Sequence, residues 1–406
     1  MGNQKHFAET VHKVEIPTKH YSLLVAENGS LLNCDTEAKL GLTDQGNDSI
    51  LWNQLGKTEF QHLETGVTVS LNSAQNGSDR LILNAATQTW SDDEEIATSQ
   101  SFTVEHGPAD KPSNYLDHLR THGWVCLTSI LSDQIVEELE RTACTDRYEH
   151  QSYDMSKPAI CQNPAVAITA AEPISLWIIR QYMQIPDIKL GHVPAFAVLK
   201  TDAGKRNVQG WHSDFPYHWG TGVRGQVPTP SGQTVLGVQR NVCVSDFSKI
   251  RGATAFKLGS HALDSGPPDE WGTAQIHGQP GYREKNGLPY GGPESDIVEA
   301  PGGSIILYDS RTWHRAGVNR TEHPRAAMLQ AMIPTYILAK NDTSQTYKQF
   351  LKSDVYSKLP DRVQTEIENL MVQQFIGPGG RYAITPDEEL SERLRQRQKA
   401  VMSTGY

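Results

Sequence analysis

The 406-residue chain predicts a mainly β fold with flanking α-helices: a jelly roll or related barrel, with a β-rich accessory domain before it and a helical extension after it. Three observations predict this. Residues from about 190 to 340 hold many short β segments joined by long Gly/Pro-rich loops, the pattern of sandwiches and barrels. Residues 1 to about 110 are polar and carry short alternating runs between turn residues, as hairpins do. The stretches flanking the 190–340 region change to a helical period.

Taken in order, the first unit (1–110) is read from Tyr21-Ser22-Leu23-Leu24-Val25, Val67-Thr68-Val69-Ser70-Leu71 and Arg80-Leu81-Ile82-Leu83, separated by Asn-Gly and other turns. GPADKPSN (107–114) reads as a linker. In LDHLRTHGWVCLTSILSDQIVEELERTA the residues Leu131, Ile135 and Leu139 share one helical face, with Ser132 as N-cap. The central unit (111–340) contains HVPAFAVLK, QTVLGVQRNVCVS, ATAFKLG, GSIILYDS and AAMLQAMIP as strands. The final unit (341–406) reads as one helix over YKQFLKSDVYSKLPDRVQTEIENLMVQQF, a break at GPGG (377–380), and a charged helix, PDEELSERLRQRQKAV. No internal repeat is present.

Composition excludes several classes. With 37 basic against 47 acidic residues the net charge is −10, which repels nucleic acid and any other polyanion, a large phosphate-rich thioester included. No apolar run approaches the ~18 residues of a membrane helix. The start, MGNQKHFAETVHK, has no signal-peptide core, and His6 stands where a myristoylation motif needs Ser or Thr. Five scattered cysteines without C-x-x-C read as reduced thiols, so a cytoplasmic protein without structural disulfides is expected.

WHSDFPYHW (211–219) carries the chemistry. In a strand, residues i and i+2 face the same side, so His212 and Asp214 can present an imidazole and a carboxylate to one point. His314, just after GSIILYDS, supplies a second imidazole. Two imidazoles and a carboxylate on one face of an octahedral ion leave three open positions, the arrangement of Fe(II) oxygenases. Those positions suit a bidentate 2-oxo acid and then O₂. The far carboxylate of such a cosubstrate needs a planar cation, and Arg325, 11 residues on (325 − 314), directly precedes the apolar strand AAMLQAMIP. Arg311, Arg315 and Arg320 are competing charges that precede no such strand. His218 would have to fold back past Pro216, and His261 reads as structural.

With these residues in hand, the chain resembles the phytanoyl-CoA dioxygenase-like (PhyH) family of Fe(II)/2-oxoglutarate-dependent dioxygenases. The resemblance runs from about 113 to 336, through HGWVCLTSILS, FAVLKTDAGKRNVQGWHSD, NVCVSDFSKIRGATAFKLGSH and PGGSIILYDSRTWHRAGVNRTEHPRAAMLQ. It implies a double-stranded β-helix (jelly-roll, cupin-like) core, with His212, Asp214 and His314 as iron ligands and Arg325 as the cosubstrate's salt-bridge partner. It also implies that Gln209 and Asn241 line the cosubstrate pocket. Leu258 replaces the proline usual before Gly-Ser-His, and Ala316 stands where some members carry a serine near the cosubstrate.

The function expected is oxidation, foremost hydroxylation, of a small organic metabolite, one of secondary metabolism being a natural candidate, with succinate and CO₂ as co-products. The same site could desaturate, epoxidise or close a ring. Halogenation is disfavoured because Asp214 holds the place chloride would need. A zinc hydrolase leaves Arg325 without a task and lacks H-E-x-x-H; a non-catalytic binding protein leaves the whole constellation without one. Phe215, Tyr217, Trp219, Arg311 and Trp313 are candidate substrate contacts, with core filling as their alternative fate. The loops 215–235 and 262–302 are candidate lids. The partner expected is a small molecule, with neither nucleic acid nor membrane; packing, homodimer formation or partner binding are the roles open to the N-terminal unit.

Overall fold

The computed structural model describes residues 9–73, 81–83, 101–152, 154, 156–202, 211–217, 234–263, 265–267, 295–377, 380–383 and 388–403. Its strands are β1 (Glu9–Lys13), β2 (Ser22–Ala26), β3 (Leu31–Cys34), β4 (Leu40–Thr43), β5 (Trp52–Gln54), β6 (Glu59–His62), β7 (Thr68–Ser73), β8 (Leu81–Leu83), β9 (Ser101–His106), β10 (Trp124–Leu127), β11 (Ile188–Leu190), β12 (Ala195–Leu199), β13 (Val238–Cys243), β14 (Ala255–Lys257), β15 (Ser295–Glu299), β16 (Ile305–Asp309), β17 (Trp313–Arg315), β18 (Arg325–Pro334), β19 (Gln374–Gly377) and β20 (Gly380–Ala383). The helices are α1 (Pro112–His122), α2 (Asp133–Ala143), α3 (Pro164–Ala170), α4 (Pro173–Met183), α5 (Thr343–Leu351), α6 (Asp361–Met371) and α7 (Glu388–Ser403). The fold is mainly β with flanking helices.

Strands β2 to β9 form one antiparallel sheet that closes on itself where β2 pairs with β9, Leu24 opposite Val104. Alternation along β2 sends Leu24 and Ala26 into that sheet's own core with Trp52, Phe60 and Phe102. Leu23 and Val25 face the other way, into the helical core with Ile174 and Leu119. This β2 strand is therefore buried on both faces, which explains its unbroken apolar run.

β1 leaves this sheet. It pairs in parallel with β15, Val11 opposite Ile297, so the first described strand completes a four-stranded sheet (β1-β15-β14-β17) otherwise drawn from residues 255–315. A larger sheet, in the order β10-β16-β13-β18-β11 with β12 also on β18, lies opposite it. Period-two alternation gives the larger sheet two apolar faces. Val238, Val242, Ile305, Leu307, Ala326, Met328 and Met332 pack on the helices. Cys243, Ile306, Tyr308, Ala327 and Leu329 face the smaller sheet's Phe256, Ile297 and Val298. The space between the two sheets holds the candidate site.

Three segments differ from the sequence reading. The 107–114 stretch is a linker only in its first half, because Pro112 starts α1 at a position where a missing N–H costs nothing. Helix α1 ends at Gly123, whose φ of 73° is left-handed, and WVCL then forms β10 on the edge of β16 instead of continuing a helix. Ser132 caps α2 as expected, its hydroxyl accepting from the Ile135 amide. Third, the expected single helix after 341 is two, α5 and α6, split ahead of Pro360, since a residue before proline is driven out of the helical region. Gly377 and Gly380 of the expected GPGG break lie in two short antiparallel strands, β19 and β20. All five cysteines are free thiols.

Candidate metal centre

Residues 211–214 run antiparallel to 310–314: the His212 amide donates to the His314 carbonyl at 3.1 Å, His314 returns the bond at 2.9 Å, and the Asp214 amide donates to the Ser310 carbonyl at 2.8 Å. Alternation does the sorting. Trp211 and Ser213, 0% and 1% exposed, point into packing, with Trp211 against Ala255 and Trp313. Consequently His212 and Asp214 point the other way, into the space between the sheets. His314 is the central residue of β17, opposite Phe256 on β14. Its neighbour Trp313 is pinned by two bonds, its amide to the Ser260 hydroxyl (2.8 Å) and its indole to the Ser265 carbonyl (3.1 Å).

The result is a cluster in which one donor atom from each of His212, Asp214 and His314 lies within 4.8 Å of the others, a group that could hold a metal ion. His314 Nε2 is 3.1 Å from one Asp214 oxygen and His212 Nε2 is 3.8 Å from the other. His314 Nδ1 lies 3.0 Å from the Thr312 carbonyl, which can only accept, so the ring proton sits on Nδ1 and the lone pair of the neutral ring on Nε2, facing Asp214. That second bond fixes ring orientation, as metal-ligating histidines require. Burial opposes a charge on His314, but the Asp214 carboxylate and the Thr312 carbonyl outweigh it and raise the pKa. Two imidazoles and one carboxylate suit Fe(II).

Tyr308 and Asn241 form the floor. Tyr308 is 2% exposed and its ring meets the His314 ring edge-on at 5.1 Å. Burial and the Asp214 charge push its phenol well above the usual range, against a hydrogen bond with Asn241 that lowers it. Arg325, 5% exposed, opens β18 on the face that Ala327 and Leu329 share, inside the sandwich. One of its nitrogens donates to the Gly252 carbonyl at 2.8 Å and its guanidinium lies 4.6 Å over the Phe247 ring.

The other sequence-predicted residues divide. Gln209, Trp219 and the competitor His218 lie outside the described residues. Arg311 is locked on Asp309, with Nε 2.9 Å from Oδ1 and Nη2 2.7 Å from Oδ2, and the Tyr182 hydroxyl donates to the same carboxylate at 2.9 Å. Tyr217 is fully buried, and its hydroxyl accepts from the Leu236 amide at 2.9 Å, tying residues 214–217 to the start of β13. Arg311, Tyr217 and Trp313 thus have the contacts of core and loop anchors. Phe215, 6% exposed, lies where a side chain at Gly191 would touch its ring at 3.4 Å. His261 stands apart from the cluster: its ring fills the space beside Gly123, where an added Cβ would come within 2.3 Å of it. Sequence reasoning missed Tyr308 and Asp309. Alternation along IILYD would have put Tyr308 on the face of Ile306, but no motif marks it.

Residues 119–327, about half of the chain, match the family model described as Phytanoyl-CoA dioxygenase (PhyH). No curated protein matches. Among solved structures, the chain is similar to the non-heme alpha ketoglutarate dependent epimerase SnoN from nogalamycin biosynthesis, at 17% identity over 55% of this chain and 81% of that one, TM-score 0.37. It is also similar to HygX from Streptomyces hygroscopicus, solved with nickel and 2-oxoglutarate bound, at 16% identity over 56% of this chain and 89% of that one, TM-score 0.42. The chain belongs to the phytanoyl-CoA dioxygenase (PhyH) family, whose enzymes use Fe(II), 2-oxoglutarate and O₂.

Proposed function

We propose that this Fe(II)/2-oxoglutarate-dependent enzyme is a dioxygenase that hydroxylates a small organic metabolite at a site made by His212, Asp214 and His314, within a double-stranded β-helix formed by the two facing sheets. The observation that carries the reading is the three-residue cluster, with donor atoms within 4.8 Å of one another, on two paired strands. When bound, Fe(II) supplies the activation of O₂ that the side chains cannot perform, coupled to conversion of 2-oxoglutarate to succinate and CO₂.

The chain's own residues set the geometry. Thr312 holds His314 in the Nδ1–H tautomer, presenting Nε2 as a ligand atom. The Ser310 carbonyl, accepting from the Asp214 amide, fixes the carboxylate between the two imidazoles. Tyr308 and Phe256 shield His314 from water, with ring centroids 5.1 and 6.2 Å from it. Arg325 offers a buried guanidinium to the far carboxylate of 2-oxoglutarate, and Asn241, beside Tyr308, offers an amide to the same pocket. Gln209 is assigned to that pocket by family resemblance alone. Phe215, adjoining Asp214, is assigned to the substrate wall. The N-terminal closed sheet is assigned a packing role, since Leu23 and Val25 join the core of the helices that back the larger sheet.

Purified protein with Fe(II) should release succinate from 2-oxoglutarate only in the presence of O₂, slowly alone and faster with a substrate from a metabolite panel. Absence of any O₂-dependent succinate from iron-loaded protein would refute the proposal.

A further inference from the structure

Lys189 is the middle residue of β11 and is 1% exposed. Its neighbours Ile188 and Leu190 both pack into the helical core, so alternation turns Lys189 to the opposite face of the larger sheet, the face of the metal cluster. Among the described residues no hydrogen bond or ion pair joins its ammonium to a partner; burial acts on it, pushing its pKa down to about 8. A lysine that is buried and unpartnered is costly, and such groups collect at binding sites.

Its position along the sheet says what it can meet. Lys189 stands opposite Ile333 at one end of β18, while Arg325 stands at the other. Eight residues of strand separate these rows (333 − 325), roughly 26 Å before twist is allowed for, so one five-carbon dicarboxylate cannot engage both cations. The metal cluster's loop lies toward the Lys189 end: Ser310, which accepts from the Asp214 amide, itself donates to Gly237, next to Val238, and Val238 pairs with Met332. Just past β11, two residues on from Lys189, is Gly191, and a side chain there would touch Phe215, the neighbour of Asp214. A molecule seated against the cluster on the side away from Arg325 therefore comes within reach of the Lys189 side chain.

We propose that Lys189 is a specificity-determining residue that anchors a carboxylate of the organic substrate, so that the substrate class is a small organic acid. This rests on the dioxygenase reading for the placement of substrate beside the cluster. A single ammonium with no second cation acting on it fits a monoanion, and the chain's net charge of −10 disfavours a polyanion.

The test uses two acid and amide pairs, phenylacetate with phenylacetamide and cyclohexanecarboxylate with its amide. Each is titrated by ligand-observed NMR into the full chain loaded anaerobically with Fe(II) and 2-oxoglutarate. Wild type should bind each acid at least tenfold more tightly than its amide. Lys189→Met should remove the preference while still binding Fe(II) and 2-oxoglutarate, with Lys189→Gln as the second variant should the first not fold. Equal affinity for acid and amide, including no binding of either, overturns the assignment; so does an acid preference that survives in the variants. A tenfold loss of 2-oxoglutarate affinity in the variants would move Lys189 to the cosubstrate and overturn it as well. Failure of the wild type to bind Fe(II) refutes the dioxygenase reading instead, and the two failures are read on separate signals.

Discussion

Replacing Arg311 by leucine tests whether this side chain serves substrate or scaffold. Asp309 is 0% exposed and Arg311 5%. The carboxylate accepts from the Arg311 amide (2.9 Å), Nε (2.9 Å) and Nη2 (2.7 Å), and from the Tyr182 hydroxyl (2.9 Å). Burial works against the Arg311 charge, yet the bonds to Asp309 prevail and raise its pKa. Arg311→Leu removes two charge-assisted bonds, each worth about 1.5–3 kcal/mol, and leaves a buried carboxylate without its counter-ion, a change that costs about 3–5 kcal/mol. The two routes agree on about 4 kcal/mol. Urea unfolding, without iron or substrate, should show this loss, and Asp309→Asn in the Arg311→Leu background should recover about half of it. A loss under about 1 kcal/mol with an unchanged urea midpoint would refute the scaffold role and return Arg311 to the candidate substrate contacts.

Arg325→Leu should raise the 2-oxoglutarate KM by at least tenfold while Fe(II) content holds, because a buried guanidinium is lost from one end of the pocket; an unchanged KM removes Arg325 from the cosubstrate site. His314→Ala should abolish Fe(II) binding whereas His261→Ala should keep it, and iron analysis of the two variants separates them. Lys189→Met should stabilise the protein by about 3 kcal/mol at pH 7, since a pKa depressed to about 8 from 10.5 means the folded state holds the proton less tightly than the unfolded one. Stability from this group therefore rises as pH climbs from about 8 toward 10.5, and the advantage of the variant should vanish there; denaturation at pH 7 and pH 10.5 reads both. Gly123→Ala should destabilise by about 1–3 kcal/mol, because a Cβ at φ 73° lands within 2.3 Å of the His261 ring, and thermal unfolding will register it.

The cluster of His212, Asp214 and His314 was legible as a candidate because strand alternation is a local rule. Trp211 and Ser213 buried on one side required His212 and Asp214 on the other, and the apolar strand after His314 marked where Arg325 enters the interior. What escaped was set by partners distant in sequence. Nothing in ETVHK announces a parallel match with SDIVE, since an edge strand of five residues carries too little apolar signal to declare a partner. No motif marks Lys189, whose burial follows only from β11 being buried on both faces. WVCL sat inside a run with helical period on both sides, and only the left-handed Gly123 separates it. The apolar spacing resumes beyond Pro360, so the sequence pattern spans a helix boundary that the proline enforces.

The β1–β15 pairing has a consequence for synthesis. Lys13 and Ser295 are separated by 282 positions (295 − 13), and at about 5–20 residues per second the ribosome needs roughly 15–60 s to cover them. Throughout that interval the nascent chain carries β1 without its partner, while the closed sheet that follows it, β2 to β9, has its partners in hand. The polar make-up of ETVHK then protects: a charged residue at each end and a histidine between them make a poor template for strand addition by neighbouring chains. Once residues 295–299 emerge, the His12 to Asp296 contact at 2.9 Å gives the late pairing a register mark. The last step in building the smaller sheet thus recruits a strand made 282 positions earlier (295 − 13).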